Sequence, residues 1–541
     1  MIGNYLTMLK KEFAGYNKTK LMKDLMAGIT VAAVALPLAL AFGVSSGATA
    51  ASGMITAIIA GIIISALSGA FFQISGPTGA MAAILISVVA KYGMNGVFLA
   101  TFMAGVILLV AGIFKLGILG NIIPSSVITG FTSGIAIIIA LGQVDNFFGS
   151  TSSGTGPVQQ IKSYFVNGFH IDFPTVMIGI FVVLFMVFLP KKINAIVPSS
   201  LLAIIITTAF VMITNWDVTR VGTIPTTLIS DDHLAFGSIT PEMAKNLISP
   251  AISIAVLGMI ESLLCGASAS KMTGTPIDNN QELVAQGVGN IILPFFGGIP
   301  ATAAIARSSV AIKSGAVTRL TGIFHALFLL LSMFLFAPLM SNIPLSALAG
   351  VLMVTAWRMN DWGSIRYLFN HHLKSGEIKF VITMVTTVVL DLSLAIMIGT
   401  AFAMIHFIIK SAHIGINIEK VEPTRMGVEN PKPETKNWHV VYVTGPLFFM
   451  SIEFLKERLK DIPKEQNIIF SLRGVPHIDV TASRALLDFY HEERAEGRKI
   501  ILSSMNSEVL TSLQKAGFEE IDDEQTVYPS VDRFLTKLFS K

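Results

Sequence analysis

Two stretches in opposite halves of the chain decide the fold: SGPTGAMAA at residues 75–83 and GGIPATAAIA at residues 297–306. Both have a Gly/Pro entry followed by small residues. The segments that they open, near 77–90 and 301–312, each follow a short run of extended character, FFQIS (71–75) or FFGGI (295–299). Each is too short and too broken by Gly and Pro to cross a bilayer alone. The matched pair predicts a chain built from two related halves.

Apolar stretches long enough to span a bilayer surround both segments. They are predicted near residues 25–44, 50–69, 94–114, 124–142, 175–190, 196–214, 249–267, 281–295, 319–338, 344–357, 379–392 and 394–410. With the short segments near 77–90 and 301–312, each half has seven segments, and the short one is third in each. Because seven is odd, the second half must be inverted in the membrane relative to the first.

The composition supports a membrane location. The chain has 541 residues, of which 52% are hydrophobic and 13% charged, whereas soluble domains carry about 25% charged residues. The net charge of +4 comes without a basic stripe, so we expect no nucleic-acid partner. The basic N-terminus lacks the apolar core of a signal peptide, and we expect it to be retained.

Loop charges predict the orientation. If every segment including the two short ones changes sides, most basic loop residues fall on the side of the N-terminus, which the positive-inside rule makes cytoplasmic. These residues are Lys115, Lys191, Lys192, Lys271, Lys313, Arg319, Arg358, Arg366, Lys374 and Lys410. We therefore expect a multi-pass protein of the plasma (inner) membrane with both termini in the cytoplasm.

The character of the chain changes after residue 410. Three prolines between 411 and 435 indicate a linker, and residues 436–541 alternate strand-like and helix-like runs with abundant charge. The predicted organisation is a cytoplasmic segment (1–23), an all-α membrane domain (24–410), a linker (411–435) and a small cytoplasmic α/β domain (436–541).

The two short segments predict an anion site. Helix N-termini expose unpaired N–H groups and carry about half a positive charge. We expect the helices to start at Gly76, Pro77 and Thr78 in one half and at Pro300, Ala301 and Thr302 in the other, with Gly79, Ala80, Ala303 and Ala304 giving a ligand access to the backbone. The alternative explanation of the small residues is close helix packing.

Two charged residues stand out in the apolar background. Arg307 lies within the second short segment, where we expect it to bind an oxyanion, unless it extends to the surface near Lys313. Glu261, in LGMIESLLCGAS, is flanked by apolar residues on both sides. We interpret it as a proton or cation coupling site, and a static ion pair with Arg307 is the alternative.

Charge arithmetic connects these two residues. Two helix ends and Arg307 give about +2, which suits a dianion, and ionised Glu261 lowers this to about +1. A proton on Glu261 is therefore expected to favour binding of the anion.

The other polar residues in apolar surroundings have ordinary interpretations. We expect Asp24 to cap the first span, Asp391 to be interfacial, and His325, His406 and Cys265 to be packed side chains. The sequence has none of the common hydrolase or nucleotide-binding motifs and no plausible metal cluster. We therefore expect neither an enzyme nor a bound cofactor or metal.

Several long motifs in the same order resemble the sulfate permease (SulP) family of anion transporters. They are DLMAGITVAAVALPLALAFG (24–43), QISGPTGA (73–80), GFTSGIA (130–136), ESLLCG (261–266) and NQELVAQGVGNIILPFFGGIPATAAIARS (280–308). The resemblance implies fourteen segments in two inverted repeats, a core moving against a gate, a cytoplasmic STAS domain and a homodimer. It also implies an anion pocket formed by Pro37, Leu38, Phe42, Gly76, Pro77, Thr78, Gly79, Ala304, Ile305, Ala306 and Arg307.

This chain departs from parts of the family pattern. Many animal relatives have Gln at the position of Leu38 and Ser at that of Ala306, so fewer polar side chains are expected to contact the anion here. Sodium-coupled bicarbonate relatives have Thr where this chain has Ile305, which favours proton over sodium coupling at Glu261. The sequences of these motifs most resemble those of the bacterial branch that includes C4-dicarboxylate transporters.

The stretch HIDVTASRALL (477–487) resembles the STAS loop and helix start. Asp479 matches the acidic position and is expected to cap the helix. Val480 replaces the serine that is phosphorylated in related regulators, which leaves Thr481 and Ser483 as open alternatives for modification. A regulatory or docking role for this domain, with a cytoplasmic protein partner, is the expectation.

The sequence thus predicts a proton-coupled symporter of sulfate or a C4-dicarboxylate that works by alternating access. A sodium-coupled bicarbonate transporter is the alternative within transport, and a membrane sensor signalling through the STAS domain is the alternative outside it. A nucleobase permease is disfavoured because that relative lacks a STAS domain.

Overall fold

The structure, a computed structural model, describes residues 2–121, 124–153, 157–194, 197–224, 227–235, 237, 239–390, 392–422, 437–518 and 526–540. The chain forms two compact units, Met1–Thr400 and Ala401–Lys541. Asp391, expected to be interfacial, lies outside the described residues.

The first unit is helical. Its helices are α1 (Ile2–Glu12), α2 (Lys18–Ser45), α3 (Ala50–Leu67), α4 (Gly79–Ile113), α5 (Ser125–Gly142), α6 (Val144–Phe148), α7 (Pro157–Asn167), α8 (Phe173–Phe188), α9 (Lys191–Asn194), α10 (Ser199–Thr214), α11 (Pro241–Asn246), α12 (Ile248–Thr273), α13 (Asn279–Ile292), α14 (Ile305–Lys313), α15 (Leu320–Met340), α16 (Leu345–Met359), α17 (Trp362–Asn370), α18 (Lys374–Val389) and α19 (Leu392–Ala412), the last of which continues into the second unit. Two-residue strands β1 (Ser75–Gly76) and β2 (Thr302–Ala303) precede α4 and α14.

Each of the fourteen predicted segments falls on a helix, in the predicted order. The third and fourth segments are joined in the single helix α4, which bends at Gly93, where φ is 64°. Glycine adopts this left-handed conformation without a steric penalty. Within the residues that the structure describes, seven helices are long and apolar enough to cross a membrane, and α8, α10 and α16 are shorter apolar helices.

The spans pack in two groups. One contains α2, α3, α4, α12, α13, α14 and α15, and the other contains α5, α8, α10, α16 and α18. The first group holds both two-residue strands, so it contains the predicted site. The helices α2 and α3 approach closely through Gly43 and Gly53, since a Cβ on Gly53 would lie 2.1 Å from the carbonyl oxygen of Ala39.

Asp24 does not cap the first span, contrary to the sequence-based expectation. The helix α2 starts six residues earlier with Asn17 as its N-cap, which places Asp24 inside the helix and fully buried. Its carboxylate instead accepts hydrogen bonds from the N–H groups of Val317 and Thr318, ahead of α15, at 2.7 and 3.0 Å. Asp24 therefore fixes the turn that leads into α15, nearly 300 residues further along the chain.

The second unit is an α/β domain with a five-stranded sheet of order β3-β4-β5-β6-β7, in which β3 is antiparallel and the other strands are parallel. Its strands are β3 (Gly415–Lys420), β4 (Trp438–Thr444), β5 (Asn467–Gly474), β6 (Ile500–Ser503) and β7 (Val527–Tyr528), and its helices are α20 (Ser451–Leu459), α21 (Val480–Ala495), α22 (Ser507–Lys515) and α23 (Val531–Ser540). Alternate residues of β4 and β5 fill separate apolar cores on the two faces, as expected for a sheet covered on both sides.

The first strand of this domain lies within residues 411–435, which the sequence analysis assigns to a linker. Residues 415–420 pair along their length with β4, because the alternation in GINIEK turns its isoleucines toward one face of the sheet. Residues 423–435 lie outside the described part of the chain.

Asp479 caps α21, as predicted, by accepting a hydrogen bond from the N–H of Ala482 at 2.7 Å. Val480 is 70% exposed. Of the two alternatives for modification, Thr481 is exposed, whereas Ser483 is buried and its hydroxyl is inaccessible.

Candidate anion-binding site

The two Gly/Pro-rich segments meet in the structure. Ser75 pairs with Ala303 and Gly76 with Thr302 in an antiparallel register, and the N–H of Ala304 donates to the carbonyl of Ile74 at 3.0 Å. Antiparallel pairing at matched positions is what two inverted halves produce. The strands β1 and β2 therefore form a two-stranded junction from which α4 and α14 both start. The expected extended run at residues 295–299 is wrong, because Leu293–Phe296 is a 3-10 turn and the strand of this half lies at residues 302–303.

The helices start later than the sequence analysis expects. Thr78 is the N-cap of α4 and Ala304 that of α14, so Pro300, Ala301 and Thr302 do not lie at a helix terminus. The strand pairing holds Thr302, and its hydroxyl also contacts Ser262 at 2.9 Å. At the start of α14 it is the N–H groups of Ile305 and Ala306 that are left without an intrahelical acceptor.

Arg307 is buried, with 1% of its surface exposed, and does not extend to the surface. Its Nη2 donates to the carbonyl oxygen of Pro77 at 2.8 Å, and its Nη1 has no hydrogen-bond partner among the described residues. The guanidinium lies against Gly76: a Cβ at position 76 would be only 2.6 Å from Nη1. One cationic donor of Arg307 is thus free at the junction of the two halves.

Glu261 reaches the same junction from α12. Its Oε2 accepts a hydrogen bond from the hydroxyl of Thr78 at 2.9 Å. No ion pair joins Glu261 to Arg307 among the described residues, so the alternative of a static ion pair is wrong. The carboxylate and the guanidinium instead hold neighbouring residues, Thr78 and Pro77, at the start of α4.

Apolar side chains cover the start of α4 on its other side. A Cβ on Gly79 would lie 2.2 Å from Cδ1 of Ile139 and 3.1 Å from Cε1 of Phe42. Phe42 thus contacts the helix start as expected, and Pro37 and Leu38 are buried one turn earlier in α2. Ile139 in α5 was not predicted. Any residue larger than glycine at position 79 would displace these side chains.

The candidate residues at the start of α14 differ in exposure. Ile305 is 46% exposed and Ala306 is also exposed, while Arg307 is buried. The exposed backbone of Ile305 and Ala306 and the buried guanidinium of Arg307 present N–H donors and positive charge without a carboxylate bound to them. Chemically, this arrangement suits an anion.

Buried polar residues that sequence reasoning did not identify support the junction. Asn290 in α13 donates to the carbonyl of Ala301 at 2.9 Å and accepts from its N–H at 2.9 Å. Gln286 donates to Ser75 at 3.0 Å and to Glu282 at 2.8 Å. Both lie in the NQELVAQGVGN stretch (280–290), where polar residues within a predicted span were the available signal.

An apolar cavity of about 700 Å³ lies elsewhere, between α2, α10 and α15, and none of the candidate residues lines it. Its lining includes only two hydroxyl side chains, Thr208 and Ser332. Such a surface offers no charge to compensate an anion, so this cavity is not the predicted site.

Comparison with known proteins agrees with this architecture. Residues 21–386 match the sulfate permease family and residues 430–533 match the STAS domain. The putative sulfate transporter YvdB of Bacillus subtilis is 35% identical over 524 residues, covering 93% of this chain and 95% of the relative. The bicarbonate transporter BicA of a Picosynechococcus species is 28% identical over 515 residues, covering 91% of this chain and 90% of the relative.

The fold is also that of a solved mammalian transporter. The murine Solute Carrier 26 family member A9 anion transporter superposes with a TM-score of 0.85 at 17% identity, covering 97% of this chain and 92% of that one. The family match spans more than half of the chain. This multi-pass membrane protein therefore belongs to the sulfate permease family of anion transporters and carries a C-terminal STAS domain.

Proposed function

We propose that the chain is a proton-coupled symporter of a dianion, sulfate or a C4-dicarboxylate, that works by alternating access in the plasma membrane with both termini in the cytoplasm. The observation that carries the proposal is the Nη1 of Arg307, which is buried at the junction where α4 and α14 start and has no partner in the described part of the chain. Two helix dipoles and this guanidinium supply about +2. The relative YvdB, described as a putative sulfate transporter, supports the choice of a dianion.

Glu261 is the proposed proton carrier. Its hydrogen bond to Thr78 connects it to the helix start that binds the anion, and it has no cationic partner among the described residues. When Glu261 is ionised, its charge opposes the anion; when it is protonated, the site keeps its full positive charge. Binding of the proton therefore raises the affinity for the anion, and binding of the anion raises the affinity for the proton. Symport requires this coupling.

The alternative substrate is bicarbonate with sodium coupling, which the similarity to BicA favours. At the start of α14, however, this chain presents the aliphatic side chain of Ile305. Ile305 supplies no oxygen ligand there, and the hydroxyl of Thr78 is the side-chain oxygen that contacts Glu261. This is a poor set of ligands for sodium, since hard cations prefer several oxygen ligands.

The test is uptake by the purified protein in liposomes, with labelled sulfate, succinate and bicarbonate and with imposed proton or sodium gradients. We expect sulfate or succinate accumulation driven by an inward proton gradient. Glu261→Gln should retain exchange at equal pH but lose the response to the gradient. The matched control is Glu242→Gln, at an exposed position in α11, which should behave like the wild type.

Two results would overturn the proposal. Proton-driven accumulation that survives Glu261→Gln removes the coupling role, and uptake that requires sodium replaces the proposed coupling ion. If the protein accumulates bicarbonate but neither sulfate nor succinate, bicarbonate is the substrate and the proposed dianion is not.

A further inference from the structure

One face of α3 carries small residues at intervals of one turn: Ala57, Gly61 and Ser65. Residues four apart lie on the same face of a helix, and each interval advances about 6 Å along its axis. A buried polar side chain or backbone group lies beside each of the three. These groups form a polar column along α3, in contact with α15.

The first level of the column is the anion site. Ala57 and the guanidinium of Arg307 both lie against Gly76, where a Cβ would stand 3.4 Å from Cα of Ala57 and 2.6 Å from Nη1. The partnerless Nη1 of Arg307 therefore lies next to α3 at this level.

The second level is His325 of α15, which is fully buried. A Cβ on Gly61 would lie 3.3 Å from its Nδ1, so glycine at 61 is what leaves room beside the ring. Neither Nδ1 nor Nε2 has a hydrogen-bond partner of good geometry among the described residues, although the ring lies within reach of the backbone of Gly322. An imidazole with both nitrogens unpaired is unusual in a buried position, because buried polar groups almost always have a partner.

The third level is Ser65, whose hydroxyl is also buried without a partner in the described part of the chain. It faces Gly322 of α15, where a Cβ would stand 2.1 Å from Oγ and 3.6 Å from the carbonyl oxygen of Gln73. Glycine at position 322 therefore lets α3 and α15 approach each other with the hydroxyl of Ser65 between them.

The column ends in a cluster of charged residues at the end of α3. Arg319 donates through Nη1 to the carbonyls of Ala66 and Ser68 at 2.9 and 3.1 Å and through Nε to Glu12 at 2.7 Å. The hydroxyl of Ser68 donates to Glu282 at 2.5 Å. This cluster lies beside the N-terminal helix α1, which the proposed orientation places on the cytoplasmic side.

Partnerless polar atoms at three successive levels are accounted for if water lies between them, since internal water characteristically hydrogen-bonds to buried polar groups left without a protein partner. We propose that this column is hydrated and that His325 relays protons between the anion site and the cytoplasmic end of α3. The inference rests on the proton coupling proposed above. The ring accepts a proton from water at one nitrogen and releases the proton on its other nitrogen to the next water, so that it ends neutral as the other tautomer.

The charged groups nearest to the column come from several elements, and α3 contributes only the hydroxyl of Ser65. Arg307 of α14 lies at the site end. At the other end are Arg319 of α15 itself, Asp24 of α2, whose carboxylate accepts from Thr321 at 2.9 Å, and Glu282 of α13. The carboxylates at that end attract positive charge away from Arg307, which favours proton movement from the site toward the cytoplasm.

Hydration is tested without transport. The hydrogen on C2 of histidine exchanges slowly with solvent deuterium, so the full-length protein in detergent is incubated in D₂O and His325 is read by mass spectrometry. The control is His406 in α19, which is only partly buried. We expect exchange at His325 within tenfold of that at His406. Absence of exchange at His325 overturns the hydrated column, whatever the transport assays show.

The relay is tested in liposomes with His325→Gln, His325→Phe and the matched variant His406→Gln. We expect both His325 variants to lose at least tenfold of the accumulation driven by a proton gradient, while exchange of labelled anion at equal pH stays within twofold of the wild type and shows that the protein is folded. His406→Gln should keep both activities.

Gradient-driven accumulation that persists in both His325 variants overturns the relay alone. A wild-type protein that ignores the proton gradient overturns the proposed coupling and the relay with it, while deuterium exchange still decides whether the column is hydrated.

Discussion

At the scale of single residues, Gly76 and Arg307 depend on each other. The guanidinium occupies the space that a side chain at position 76 would need, and from that position its Nη2 donates to the carbonyl of Pro77. Sequence reasoning identified Arg307 because a cation in an apolar run is unusual. It did not predict that the arginine binds Pro77 rather than Glu261, because a contact between residues 230 positions apart depends on how the helices pack.

Gly76→Ala is expected to impair anion binding. The added methyl group would stand 2.6 Å from Nη1, so the guanidinium must move and its charged hydrogen bond weakens, at a cost of about 1.5–3 kcal/mol. If that interaction positions Arg307 for the anion, the KM for uptake in liposomes should rise by about tenfold or more. Gly142→Ala, where a Cβ meets nothing within 4 Å, is the control. A KM within twofold of the wild type for both variants would contradict this account of Arg307.

At the scale of elements, hydrophobic length predicted the order of the helices. Charge contrast indicated a separate soluble domain, but its first strand, at residues 415–420, lies inside the segment assigned to a linker. Neither pattern located the two strands at the junction, because two-residue strands leave no periodic pattern in a sequence. As a result, α14 was expected to start near Pro300, whereas the pairing of Thr302 with Gly76 delays the start to Ile305.

Asn290→Ala is expected to destabilise the junction. The amide side chain pairs both backbone groups of Ala301 next to β2, and its removal leaves two buried polar groups unpaired, at about 1–3 kcal/mol each. The midpoint of thermal unfolding in detergent should fall by several degrees, and uptake should fall with it. Asn167→Ala, on the exposed end of α7, should change neither. A midpoint unchanged in Asn290→Ala would show that Ala301 finds other partners.

At the scale of the whole molecule, the N-terminal segment is part of the packed fold. The sequence analysis treated residues 1–23 as a cytoplasmic segment preceding the membrane domain. In the structure Glu12 is buried and accepts hydrogen bonds from both the backbone N–H and the Nε of Arg319, at 2.6 and 2.7 Å. Tyr16 donates to Asp24 at 2.9 Å. The contact between Glu12 and Arg319 joins residues 307 positions apart, which no local pattern reveals.

The buried position of Glu12 predicts a dependence of stability on pH. Burial raises the pKa of Glu12 above its ordinary value of 4.5, although the nearby charge of Arg319 acts in the opposite direction. The folded chain therefore binds this proton more strongly than the unfolded chain does. Between pH 4.5 and the raised pKa, the free energy of unfolding attributable to Glu12 falls as the pH rises.

Glu12→Gln should remove this contribution, because an amide does not titrate. Thermal unfolding of the full-length protein in detergent is measured from pH 4.5 to pH 7.5 for the wild type and for Glu12→Gln. The difference between their midpoints should change across this range, in the sense that raising the pH lowers the wild-type midpoint relative to that of the variant. Glu465→Gln, at an exposed position in the STAS domain, should differ from the wild type by a constant. A constant difference for Glu12→Gln as well would mean that the attraction of Arg319 fully offsets the cost of burying the carboxylate.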